Sequence, residues 1–574
     1  MTRNPLSTAL EGADSLAATP AAAPMVRQLR QILLWPLRLM PVPPDSAGVR
    51  RTPWQVLREL SETSPWGEID DEYTGDSARF HERHYNEFVT FLPYVQRFLY
   101  GDGRSRHSTA SRDADAPMRV FRRDDVRQIR VVPKRGDAPL MLEVVHIDLY
   151  FFFDVDVVLL NVEVGATDLR LAQAQELLYR FGRGYPSGWD AQGEPLHTVT
   201  SVEWLDANGA VLASSDARDR EAFLSHVCEH RAPRLSSHWA YLLRPLVSDH
   251  SEDPGALRFR QIEYYRMPLM GYLSLDDPRV LSRNDFIRLG LVTGAGGTDN
   301  GGLGDGASLP YAEQHLIDFE QRFCYDRFWL NAGAAPNTRY LCSGHALIVV
   351  GDARSEFFGC RDRGVLAQFR HQHFLLFMIA HFQKAALLMF SDRLVEALKG
   401  LDVGDPLSVR RFKRAIRGSF EGFLRFTHRY WFHEVSEQAQ VKSLFHLCTT
   451  HLQVDPLYSE VKERIADMNS YLDADSLRRQ ANTVVRLTVV TIFGLVGTVT
   501  TGFLGMNLIA EADASLWMKL LYFVVVFVPT TALTFYTMGK SKGLSDFLDA
   551  LSDDRLSTWT KFKALAAVWR RPSD

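Results

Sequence analysis

Cysteine is scarce in this chain: there are five among 574 residues, Cys228, Cys324, Cys342, Cys360 and Cys448, never spaced as a CxxC pair. That scarcity argues against a disulfide-stapled secreted fold and against a structural zinc knuckle, and it suits a reducing compartment. Net charge is nearly absent too, since 65 basic residues stand against 69 acidic ones. A balance of −4 gives no global pull toward nucleic acid. Catalytic signatures are missing. The run Thr293–Pro310 holds seven glycines but lacks the GK[ST] ending of a phosphate loop, and reads as a flexible insertion. His81-Glu82-Arg83-His84 has the wrong spacing for the HExxH pair of a zincin. His371, His373 and His381 do not share a helical face, and no nucleophile elbow or kinase signature is present. The opening SLAATPAAAP precedes a basic stretch, MVRQLRQILLWPLRLMPVPP, whose apolar core is too short and too interrupted for a signal peptide.

What the chain does contain is concentrated near its C-terminal end. Mean hydropathy is only −0.15, yet Leu487 to Ala510 carries no charged residue. A second apolar run, Leu520 to Met538, follows after a short connection and contains Pro529. About twenty apolar residues cross the roughly 30 Å of bilayer hydrocarbon, so the two runs predict a transmembrane hairpin. Arg478, Arg479 and Arg486 precede the first run, and Lys540 and Lys542 follow the second. The connection carries Glu511 and Asp513. The positive-inside bias therefore predicts cytoplasmic termini and an acidic loop outside, in a multi-pass protein of the cell's inner (plasma) membrane.

Upstream, Leu140 to Val164 is dense in β-branched and aromatic residues and predicts two adjacent strands, with a helix over Leu169 to Phe181 and a strand at Ala346–Val350. The polar stretch Gly101–Asp115 predicts a loop. Gly364 to Lys399 predicts a long amphipathic helix, and a second helical region runs from about Ser408 to Leu452. Asp455-Pro456 opens a third, and no further proline interrupts it before Pro529, so a stalk helix runs straight into the first span.

The organisation expected is a flexible tail over residues 1–50, a cytosolic α/β domain over 51–362 with its insertion at 293–310, and a cytosolic helical and stalk region over 363–483. The first span covers 484–507, the external loop 508–519, the second span 520–539 and a basic amphipathic cytosolic tail 540–574.

The first span ends in Gly505-Met506-Asn507, followed by a short acidic loop and the second span. A Gly-Met-Asn tripeptide at the outer end of the first of two C-terminal spans resembles the CorA family of divalent-cation channels. The resemblance is specific over roughly residues 470–545 and only architectural upstream. Family members usually place an aromatic residue before the tripeptide, where this chain has Leu504. The resemblance implies a homopentamer with one axial pore lined by the first span, a selectivity filter of Gly505, Met506 and Asn507, and Mg²⁺ as both transported ion and regulatory ligand, with no organic cofactor. It also implies regulation by intracellular Mg²⁺ bound between subunits through acidic residues.

The residues themselves supply a matching stripe. Val484, Leu487, Thr491, Leu495, Thr498 and Gly502 recur at three- and four-residue steps along one helical face, which either lines a pore or packs against another helix. Mg²⁺ gives up its waters reluctantly, and a ring of neutral Asn507 carbonyls accepts hydrogen bonds from the hydrated ion without stripping it. Glu511 and Asp513 either raise the local cation concentration at the mouth or merely keep the loop solvated. Glu460, Glu463 and Asp467 share a face of the stalk and are candidates for the regulatory metal, or a solvated face. Arg410, Arg411, Lys413, Arg414 and Arg417 form a basic patch whose default reading is a solvated helix face. Its charge also suits nucleic acid or, if the helix runs antiparallel to the stalk, anionic lipid of the inner leaflet, and of these partners membrane lipid and no nucleic acid is expected. Alternatives within reach are the zinc-transporting branch of the same superfamily and a membrane-anchored sensor or scaffold with little conduction. A tethered enzyme has no motif to support it.

Overall fold

The computed structural model describes residues 24–44, 51–60, 64–69, 81–101, 118–263, 265–295, 309–402, 405–505 and 515–539. The chain divides into two compact units, Met1–Glu463 and Arg464–Asp574.

Among the described residues fourteen strands of the first unit form one sheet. They are β1 (Met25–Leu39), β2 (Trp66–Glu68), β3 (Met118–Arg123), β4 (Gln128–Val132), β5 (Leu140–Phe152), β6 (Val155–Arg170) and β7 (Ser201–Leu205). Then come β8 (Val211–Ser214), β9 (Leu246–Ser248), β10 (Leu257–Gln261), β11 (Leu269–Leu275), β12 (Cys324–Tyr325), β13 (Arg339–Cys342) and β14 (Ala346–Asp352). The principal order is β12-β13-β14-β11-β1-β6-β5-β4-β7-β8. Pairing is antiparallel over most of this width, and parallel at β11–β14 and β9–β10. Leu140–Val164 falls on β5 and β6, which pair antiparallel, Leu171–Arg180 is helical, and β14 covers Ala346–Val350.

The expected flexible tail over residues 1–50 is corrected here. Residues 1–23 lie outside the described part, but Met25–Leu39 is a fifteen-residue strand in the middle of the sheet, paired with β6 along most of its length. Its basic side chains have carboxylate partners: Arg27 donates to Asp276 at 2.8 Å, and Arg38 is held by Asp392 and by Glu396 at 2.6 Å. Proline is normally confined to sheet edges because it cannot donate to the ladder. Pro36 fits because β11 pairs β1 only as far as Leu33 and β10 begins at Leu37, so no strand on that side needs its missing N–H.

Directly opposed residues of an antiparallel pair share a face. On one face Leu29, Leu33, Val162, Leu149, Trp204 and Trp239 belong to a single apolar core, to which the helices Leu171–Arg180, Ser237–Leu243 and Arg283–Leu291 contribute. On the other, Ile32 opposes Glu163 and Asp148 opposes Asn161. The helical run Val365–Lys399 covers this second face: Phe382 stacks on Phe152 at 3.9 Å and Arg370 donates to Glu163 at 2.7 Å.

That run is not amphipathic as expected. It is buried around most of its circumference, from Phe374 to Gln383 without interruption, and it passes through a π-helical turn at Phe369–His373. Two of its polar side chains find partners inside: Gln383 donates to the carbonyls of Tyr430 and Phe432, and the Lys384 ammonium lies 3.5 Å from Glu263. The second helical region divides into Pro406–Tyr430 and Ala439–Leu452. The boundary expected at 362/363 is therefore displaced to Glu463, because the exposed face of the sheet takes these helices as its cover. The stalk helix spans Val454–Gly505 without a break.

The C-terminal helix pair as a candidate functional site

The expected spanning segments both fold as helices, the end of Val454–Gly505 and Leu516–Gly539, the latter containing Pro529. In the second unit they touch where side chains are small. Gly497 is buried, and a Cβ added to it would lie 2.9 Å from the Thr530 methyl. Val489 is buried too, two turns earlier. At 100° per residue, Val489 and Gly497 fall on the side of the helix opposite Val484, Thr491, Thr498 and Gly502.

The candidate pore-lining stripe is thus the face the helix turns away from its partner. Val484 and Leu487 are 62% and 67% exposed, and Thr491, Thr498 and Gly502 are exposed as well; the side chain of Leu495 lies outside the described residues. The threonine hydroxyls on this face are already oriented. Thr491 Oγ1 donates to the Leu487 carbonyl at 2.8 Å and Thr498 Oγ1 to the Gly494 carbonyl at 2.9 Å. A hydroxyl whose proton is spent on the backbone presents only acceptor lone pairs outward.

The second helix presents apolar surface on a scale a water-soluble face does not. Its described large apolar side chains from Leu516 to Val528 are each at least 43% exposed. Contiguous apolar surface of this extent marks a membrane or protein contact. Among the described residues one helix, Val365–Lys399, is long and apolar enough by length and hydropathy to cross a bilayer, and its most apolar stretch is 83% buried as the core helix of the first unit. Leu516–Thr530 is a shorter apolar run.

Gly505 is the last described residue of its helix. Met506, Asn507, Glu511 and Asp513 lie outside the described residues, as do Gly296–Ser308 of the glycine-rich stretch and the tail 540–574. Glu460, Glu463 and Asp467 are exposed on the stalk helix, and among the described residues no three His, Cys, Asp or Glu side chains are grouped to hold a metal. Arg410, Arg411, Arg414 and Arg417 are exposed on Pro406–Tyr430, with Lys413 half-buried. The backbone-bonded threonines are a feature that spacing alone does not reveal, although Thr at a helix interior four residues after a carbonyl is the sequence signal for it.

No family model matches the chain, and neither a curated protein nor a solved structure matches it.

Proposed function

We propose that this chain is one subunit of a CorA-like homopentameric channel that passes hydrated divalent cations, chiefly Mg²⁺, across the membrane into the cytoplasm. The observation that carries the reading is the face of Val484, Leu487, Thr491, Thr498 and Gly502: exposed, opposite the helix–helix contact, and furnished with hydroxyl oxygens that can only accept. Five such faces around an axis give alternating rings of acceptor oxygens and aliphatic side chains. The oxygen rings hold the water coat of the ion, and the Leu487 ring closes the path by dewetting when it narrows. At the outer end, the Gly505-Met506-Asn507 tripeptide supplies a ring of neutral amides that receives the ion with its waters in place, because a carboxylate ring would retain it.

Flux into liposomes loaded with a Mg²⁺-sensitive dye tests the proposal. Wild-type protein conducts, Asn507→Ala abolishes conduction, and Thr498→Val, which keeps shape and removes the oxygen, lowers it about tenfold or more, the loss of roughly one charge-assisted hydrogen bond. Block by a substitution-inert hexammine cation reports that the waters are retained. An assembled wild-type protein that passes no divalent ion would reject the channel, and passage of Zn²⁺ alone would reject Mg²⁺ as the substrate.

A further inference from the structure

Outside the helix pair, the first unit contains a cleft of about 1200 Å³ between the helix Arg220–His230, the helix Ser237–Leu243 and the β9–β10 connection. Three histidines line it, His226 and His230 from the helix and His250 from the connection. The helix is firmly delimited, with the Asp219 carboxylate accepting from the Ala222 N–H at its start and Arg231 in the left-handed region at its end. Positions four apart share a helical face, and the His226 and His230 ring centroids are 4.5 Å apart. Among the described residues neither ring is hydrogen-bonded, and the nearest carboxylate oxygen, on Glu229, is 3.9 Å from His230 Nε2, beyond hydrogen-bond reach.

We propose that His226 and His230 chelate one borderline divalent ion of the Zn²⁺ and Cu²⁺ class on the wall of this cleft, with water in the remaining positions. Imidazole nitrogen selects such ions, whereas Mg²⁺ demands oxygen. Two histidines at this helical spacing form the same bidentate element that zinc proteases use, here, among the described residues, without a third protein ligand grouped beside it. The proposal does not rest on transport through the helix pair.

The test uses the full chain in detergent, stripped with chelator and titrated with Cu²⁺ under electron paramagnetic resonance. One Cu²⁺ per chain binds with hyperfine structure from two nitrogens, a large excess of Zn²⁺ displaces it, and millimolar Mg²⁺ does not. His226→Gln and His230→Gln each weaken binding at least about tenfold, since even second-shell partners of metal ligands cost 10–100-fold. The double variant loses the signal with an unchanged unfolding midpoint, both side chains being partly exposed. Retention of the two-nitrogen signal in the double variant, displacement by Mg²⁺, or absence of binding in wild type overturns the site. None of these outcomes touches flux, so failure here and failure of the channel are separately visible.

Discussion

His238, His373 and His381 are fully buried, and burial pushes each down to about 3. In the unfolded chain the same rings protonate near pH 6.5. The native state therefore takes up no proton on them until far more acidic conditions, while the unfolded state does. Stability from these groups is complete above about pH 6.5 and is lost as pH falls from there toward about 3, by about 1.4 kcal/mol per pH unit for each ring. Denaturant unfolding followed between about pH 7 and pH 5 should show His381→Gln removing one proton's worth of this slope. An unchanged slope would place His381 in solvent or on a charge partner. These histidines also show where sequence reading stops at the residue scale. His371, His373 and His381 attract attention as a possible ligand set, yet His373 contacts Gln440 and His381 the Gly344 carbonyl, each within a packed core. Meanwhile the four-residue spacing of His226 and His230 is plain in the sequence, but the apolar and polar residues around it alternate without an amphipathic pattern, so nothing local says that both rings face a cleft.

At the scale of elements, the helix pair depends on one close approach. Gly497 admits the Thr530 methyl where any side chain would collide with it at 2.9 Å. Small residues at such contacts let helix backbones pack by van der Waals attraction and shape the pair. Gly497→Leu should separate the two helices and reduce the fraction of protein recovered as the proposed oligomer, measured by light scattering after chromatography. Gly497→Ala should lose less, and adding Thr530→Ala should restore most of that loss, because the methyl removed from one helix accommodates the one added to the other. Failure of the pair to compensate would mean that the contact does not govern assembly. Long elements with one dominant pattern were legible: β5, β6, β14 and the unbroken Val454–Gly505 helix all follow from runs of a single character. β1 was not. Arg27, Arg30 and Arg38 make its sequence resemble a solvated segment, and carboxylates distant in the chain (Asp168 and Asp276, Glu143, and Asp392 and Glu396) make them tolerable in a sheet. Val365–Lys399 misled in the opposite sense, since its polar residues suggest a wet face while their partners lie in the core.

At the scale of the whole molecule, the sheet explains why the helices up to Leu452 belong to the first unit. A sheet with one face on the core and Ile32, Leu34 and Leu159 on the other needs a second cover, and the helices Val365–Lys399, Pro406–Tyr430 and Ala439–Leu452 supply it. Among the described residues, the apolar core of the first unit is drawn entirely from within it. It follows that a chain ending at Glu463 should unfold in one cooperative denaturant transition without detergent, whereas the full chain, with the exposed apolar surface of Leu516–Gly539, requires it. The same truncation lacking residues 1–44 should give no such transition. Deleting β1 removes the strand that joins β6 to β11 and β10, splitting the sheet into three parts that share no other strand: β6 with its neighbours, β11 with β12–β14, and β9 with β10. If the shortened chain unfolded with an undiminished midpoint, β1 would be dispensable and the sheet would have to close on itself by another pairing. If the chain ending at Glu463 failed to fold while the full chain did, the stability of the first unit would have to come from the C-terminal helices, and the division of the molecule at Glu463 would be wrong.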